Sequence, residues 1–294
     1  MLSIVIPSRN EKYLTRTVQD LLEKAVGAIE IIVILDGYWC ELVEDPRVRY
    51  LHRGQARGMR AGINAAARTA RGDFLMKLDA HCMVEAGFDA KLSADCPEAT
   101  VVIPRRKRLD AERWELLETS KPDIDYEYLS CPDDSAGDDF KNFRGRTWDK
   151  RRAARLGDSR FLIDDNMCFQ GSCWLMRRPY FEFLDLMDEE NYGTFANEAV
   201  EIALKAWLSG GRVVVNKKTW YAHYHKPTAH GRGYRMSRTD TGKGYAFARR
   251  WIRNDTGWSK QTRPFSWLIE HFFPIPTWPI DWQERFPECM TCRF

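Results

Sequence analysis

The 294 residues are 44% hydrophobic and 30% charged with a formal net charge of +3, a balance that excludes a disordered or fibrous chain and fits a folded globular one. No run of about 18 apolar residues occurs, and "MLSIVIPSRNE" reaches a proline and charges too soon for a signal peptide, so a cytoplasmic protein is expected, in the host cytoplasm if phage-encoded. Eight scattered cysteines fit buried thiols in a reducing compartment, and the lone Cys289/Cys292 pair is expected to be structural or incidental.

"LSIVIP" reads as a short apolar strand, followed by a helix in "EKYLTRTVQDLLEKA" with Leu14, Val18, Leu21, Leu22 and Ala25 at helical spacing. "IEIIVILDG" is too continuously apolar to be half exposed, as a strand covered on both faces of a parallel sheet should be. "VRYLH" is a third strand, "RGMRAGINAAARTA" a helix of small residues, and "GDFLMKLDAH" the next strand. This β-α-β-β-α-β order predicts an α/β nucleotide-binding half with ligands at the carboxyl ends of parallel strands, where Asp36 and Asp79 both fall. "TVVIP" closes that half at residue 103, and 104–160, with "RRKR", "CPDDSAGDD" and "DKRRAAR", reads as a variable insertion or flexible loop. From 161 to 230 order returns: "CFQGSCWLMRRPYFEFL" is a strand entering a helix, "NEAVEIALKAWLSGG" a helix, and "RVVV" and "TWYAHYH" two strands. Residues 231–294, basic and then aromatic, are expected to form a C-terminal extension packed on a 1–230 domain.

Asp79 and His81 end an apolar strand at i and i+2, a spacing from which both can reach one ion when the backbone turns. A hard carboxylate oxygen with a borderline imidazole nitrogen favours Mn²⁺ over Ca²⁺. A third ligand could come from His223 or His225 in "WYAHYHK", also at the end of an apolar segment, whereas His52, His230 and His271 read as ordinary surface or core histidines.

"SIVIPSRNE", "EIIVILDG" and "GMRAGINAAARTARGDFLMKLDAH" together resemble the nucleotide-binding half of family 2 glycosyltransferases with the GT-A fold. The D-A-H-C form, with "FQGSCWLM", "FANEAVEIALKAWLSGG" and "AHYHK" in the same order, is most similar to polypeptide N-acetylgalactosaminyltransferases. The resemblance implies Asp79, His81 and His223 as ligands of Mn²⁺ (or Mg²⁺), and a nucleotide-sugar donor, expected to be a UDP-sugar. It implies Asp36 at the nucleoside, Pro7 and Arg9 beside the base, Arg57 or Arg60 facing the donor, Phe195 at the sugar platform and Lys226 at the diphosphate. It implies Glu198 beside the reacting sugar, with Glu201 its partner one turn later. Leu35 and Phe195 depart from the family's aspartate and tryptophan, and Ala199 follows Glu198 where inverting members of the family have an aspartate.

A leaving diphosphate asks for a metal and cations such as Lys226, and an acceptor hydroxyl asks for a base, for which Glu198 at a helix start is the best-placed carboxylate. For the acceptor, residues 205–263 carry 14 basic side chains against two acidic ones, interleaved with Trp207, Trp220, Tyr221, Tyr224, Tyr234, Tyr245, Phe247, Trp251 and Trp258. Cations neutralise phosphates and aromatic faces stack on flipped bases, so 5-hydroxymethylpyrimidine in phage DNA is the expected acceptor. A polypeptide Ser/Thr or glycan hydroxyl is the alternative, and a non-catalytic nucleic-acid-binding module the second.

Overall fold

The computed structural model describes residues 1–133, 142–226 and 237–292. In chain order the first part runs β1 (Leu2–Ser8), α1 (Leu14–Lys24), β2 (Ile29–Asp36), β3 (Val48–Arg53), α2 (Met59–Thr69), β4 (Phe74–Leu78), β5 (Cys82–Val84), α3 (Phe88–Ala94) and β6 (Thr100–Asp110). It continues through β7 (Glu115–Leu116), β8 (Glu127–Leu129), β9 (Gly145–Thr147), α4 (Asp149–Ala154), β10 (Ile163–Asp165), β11 (Cys173–Arg177), α5 (Arg178–Phe183), α6 (Glu189–Tyr192), α7 (Glu198–Leu208) and β12 (Arg212–His223). Helices α8 (Arg238–Ile252), α9 (Phe265–Phe272) and α10 (Trp282–Arg285) follow.

The apolar runs of β1 and β2 are buried on both faces because the sheet has helices on both sides. Ile4, Ile6, Ile31 and Val33 share one core with Leu14, Val18 and Leu21 of α1 and Phe88 and Leu92 of α3. Val5, Ile32 and Ile34 point the other way, into a core with Ile63 of α2, Leu204 and Trp207 of α7, and Leu268 and Phe272 of α9. The main sheet runs β10-β12-β6-β11-β4-β1-β2-β3. Strands β4, β1, β2 and β3 are mutually parallel, β11 is antiparallel to both β4 and β6, and β12 is parallel to β6. The sheet is therefore mixed, and its parallel part has the β-α-β-β-α-β order expected from the sequence.

Three elements differ from the sequence reading. "RVVV" and "TWYAHYH" are one strand, β12, interrupted only by an irregularity between Asn216 and Trp220. The described part of 104–160 contains regular structure: β6 continues to Asp110, and β7, β8, β9 and α4 follow. The reason is pairing, since Trp220–His223 need a neighbour for their backbone groups and Arg105–Arg108 supply it, so a charged run forms strand. In the last stretch, α9 sends Phe265, Leu268, Ile269 and Phe272 into the main core, with Phe272 edge-on to Trp207 at 5.4 Å. All eight cysteines are free, with Cys289 buried and Cys292 exposed. No described helix is long and apolar enough to cross a membrane.

Candidate active site

Strand β4 ends at Leu78, and the Asp79 amide donates to the Ser172 carbonyl just before β11 (2.9 Å). The backbone then turns through Ala80 and His81 and returns as β5, which pairs antiparallel with the end of β12, setting Cys82 opposite His223. That pairing carries His223 across 142 positions to His81: their Nε2 atoms lie 3.1 Å apart, and His223 Nε2 is 3.2 Å from Asp79 Oδ2. One ligand atom from each of the three falls within 4.8 Å of the others. Neighbouring ligand atoms around an octahedral ion with bonds of about 2.1 Å lie about 3 Å apart, so the set fits a divalent ion. His225, the other candidate, is exposed and faces away, onto Arg106.

Lys77 lies two residues before Asp79, so the pleat puts both on one face. It is 1% exposed, and its Nζ donates to Asp79 Oδ1 (2.6 Å), the Gly171 carbonyl (2.5 Å) and Glu198 Oε2 (3.3 Å). Burial alone would discharge this lysine, but Asp79 and Glu198 reverse that and hold it protonated above the ordinary lysine range. Burial likewise opposes ionisation of Asp79, and Lys77, followed by His223 and His81, overcomes it and keeps the carboxyl well below the usual range. Glu198 opens α7, is 6% exposed, and accepts from Trp174 Nε1 at 2.6 Å. Burial raises its pKa against the opposing pull of Lys77 and Trp174. Gly171 permits this approach: a methyl group there would come within 2.8 Å of Glu198 Oε2.

The far side of each imidazole is also engaged. His81 Nδ1 meets Glu11 Oε2 at 3.1 Å, and both Glu11 oxygens accept from Lys226 Nζ at 2.7 Å. Burial would raise the Glu11 pKa, but His81 and then Lys226 bring it below the ordinary value. His223 Nδ1 instead faces Arg106 Nη2 at 3.2 Å, and burial lowers its pKa to about 3 despite the hydrogen bond to Asp79.

A family model described as glycosyl transferase family 2 matches residues 3–184, more than half of the chain. The chain belongs to that family. This glycosyltransferase is 28% identical over 235 residues to polypeptide N-acetylgalactosaminyltransferase 11 of Xenopus tropicalis, a match covering 73% of the chain and 36% of the relative. It thus spans about a third of the length of that curated relative. A crystal structure of GalNAc-T7 with UDP, GalNAc and Mn²⁺ superposes with a TM-score of 0.72 at 18% identity, over 98% of this chain and 58% of the other. Staphylococcus aureus TarS residues 1–349 with UDP-GlcNAc gives 0.52 at 16% identity, over 86% of this chain and 64% of the other. The fold is GT-A, with a central mixed sheet.

Within this family 2 fold, other residues singled out by sequence lie as follows. Pro7 and Arg9 are partly buried at the carboxyl end of β1, and Phe195 is partly buried in the loop before α7. Asp36 sits at the end of β2, but its oxygens accept the backbone N–H groups of Arg57 (2.8 Å) and Gly58 (2.9 Å), so it shapes that loop. The Arg57 side chain is exposed. Arg60, expected to face the donor, and Glu201, expected as the partner of Glu198, are engaged with each other. Both are fully buried and paired to each other, because helix α2 turns Arg60 inward against α7, where Glu201 also holds Lys205 Nζ at 2.8 Å. Lys226 is committed to Glu11.

The basic stretch is also rearranged by folding. Lys205, Arg212, Lys218, Lys226, Arg253 and Lys260 pair with Glu201, Asp165, Asp95, Glu11, Glu288 and Asp185, all carboxylates from outside residues 205–263. Trp207, Tyr221 and Trp251 are core residues, whereas Tyr234, Arg232, Arg235 and His230 lie outside the described residues. Sequence reasoning missed Lys77, Trp174, Glu11 and Arg106. Lys77 had left a signal, as a lone charge inside an apolar strand two residues before Asp79.

Proposed function

We propose that this glycosyltransferase moves a sugar from a UDP-sugar to a polypeptide Ser/Thr hydroxyl or a glycan hydroxyl, with Mn²⁺ (or Mg²⁺) held by Asp79, His81 and His223. The observation that carries this reading is the convergence of those three side chains at the carboxyl end of β4. A divalent ion there supplies positive charge for the diphosphate leaving group. Residues 1–103 form the donor half, with Pro7, Arg9, Asp36 and Arg57 bordering the nucleoside. Residues 161–226 complete the acceptor half, and the described residues from 237 to 292 buttress it. Lys77 keeps Asp79 ionised and orients Glu198. Glu198, with its raised pKa, is the carboxylate suited to hold the proton lost by the acceptor oxygen as that oxygen bonds the sugar and the bond to diphosphate breaks. Lys226, expected at the diphosphate, stands beside the site bonded to Glu11.

The choice of UDP and of an N-acetylhexosamine is supported by the ligands named with GalNAc-T7 and TarS, and the polypeptide acceptor by the name of the curated relative. Hydroxymethylated DNA, the acceptor expected first, loses support because six of the 14 basic side chains of that stretch pair with carboxylates from elsewhere in the chain and no relative named above points to DNA. The test incubates the protein with Mn²⁺, UDP-GalNAc or UDP-GlcNAc, and in parallel a Ser/Thr peptide, a glycan or hydroxymethylated DNA. A mass increment on peptide or glycan is expected; an increment on DNA alone would overturn the acceptor assignment.

A further inference from the structure

The two imidazoles of the candidate metal centre are wired in opposite senses. At Nδ1 of His81 stands Glu11, an acceptor, at 3.1 Å, so the proton belongs on Nδ1 and the Nε2 lone pair points at the centre. At Nδ1 of His223 stands Arg106 Nη2, which can only donate, at 3.2 Å. The neutral ring then carries its proton on Nε2, the atom that should ligate, and that proton is shared between His81 Nε2 (3.1 Å) and Asp79 Oδ2 (3.2 Å). A metal-bound histidine normally donates from its other nitrogen to a carboxylate or carbonyl. Glu11 meets that requirement for His81, and Arg106 opposes it for His223.

Arg106 directs the hydrogen bonds of its guanidinium, among the described residues, to imidazoles alone. It is 3% exposed in β6, where the β6–β12 register sets it opposite Tyr221, and the same Nη2 donates to His225 Nε2 at 2.5 Å. Its Nε and Nη1 have no hydrogen-bond partner, and it forms no ion pair among the described residues. Withdrawing it from His223 breaks contacts to two neutral rings and no carboxylate bridge.

We propose that Arg106 and Glu11 are opposed positioning residues, Glu11 favouring metal capture through His81 and Arg106 holding His223 in the tautomer that cannot ligate. Asp79 and His81 take the ion first, and His223 joins when Arg106 disengages and its ring proton moves to Nδ1. This rests on the metal reading given above. Second-shell changes of this kind shift metal affinity by about 10- to 100-fold.

The test titrates Mn²⁺ into the full chain and follows loss of the EPR signal of the unbound ion, for wild type, Asp79→Ala, Glu11→Ala, Arg106→Gln, Arg106→Leu and Arg106→Lys, each checked for folding by circular dichroism. Glu11→Ala is expected to weaken binding by at least about tenfold. Arg106→Gln and Arg106→Leu are expected to tighten it by about tenfold, and Arg106→Lys, which keeps a donor at Nδ1, to stay near wild type. If neither Arg106→Gln nor Arg106→Leu binds Mn²⁺ more tightly than wild type, the opposed wiring is wrong. If Asp79→Ala binds as wild type does, the metal centre itself is wrong, a different failure with a different signature.

Discussion

Lys77, itself buried, joins the partly buried Asp79 to the buried Glu198, two carboxylates that would otherwise repel each other within one site. Removing one partner of a buried charge pair leaves the rest unpaired and costs about 3–5 kcal/mol. Lys77→Met should therefore lose about that much stability in urea unfolding, together with activity; a loss below about 1 kcal/mol would show that the three groups are not coupled. A second residue makes a pH signature. Burial raises the Glu127 carboxyl from 4.5 to about 7, against the pull of Arg106, and its Oε1 has no hydrogen-bond partner. Between those values the folded state holds a proton the unfolded chain has released, so stability falls as pH rises through that window and levels above it. Glu127→Gln cannot ionise and should exceed wild type by about 1–3 kcal/mol in unfolding at pH 8, with little difference at pH 4. A gap that does not change with pH would contradict this. Asp79, His81 and His223 were legible because each stands where an apolar run stops. Glu11, by contrast, sits in a polar loop after β1, where nothing in "SRNE" marks one side chain over another.

Pairing between elements explains what the sequence reading could not reach. Periodicity identified β1, α1, β2, α2 and β4 because their apolar faces are intrinsic to each segment. It failed at "RRKR", since those residues are strand only through their neighbour β12, and Arg106 went unseen with them. The same limit applied to Arg60 and Glu201, whose partnership crosses 141 positions. Their pair ties α2 to α7, while Arg60 Nη2 also donates to the Ala196 carbonyl (2.7 Å) and its guanidinium lies 4.9 Å over the Tyr192 ring. Arg60→Met should destabilise by about 3–5 kcal/mol, and Arg60→Met with Glu201→Leu should lose less than the two single variants summed, because each single change breaks the same contact. Additive losses in the double variant would mean the pair is not the tie between these helices.

At the scale of the whole molecule, fold class and broad chemistry were readable because strand ends, helix starts and their order survive in one dimension. The distribution of charge was not, because it is a property of the folded surface: of the excess of 12 positive charges along 205–263, six are met by carboxylates from elsewhere in the chain. What the fold does concentrate, among the described residues, is a cluster of ligands beside a buried lysine and a buried glutamate. Its most direct test is the rate of UDP release from UDP-GalNAc or UDP-GlcNAc as Mn²⁺ is added, in wild type and in Asp79→Ala. Release that rises with Mn²⁺, stops with EDTA and falls at least about 100-fold in Asp79→Ala is the expected result. Equal rates in the two proteins, or a wild-type rate indifferent to EDTA, would contradict it.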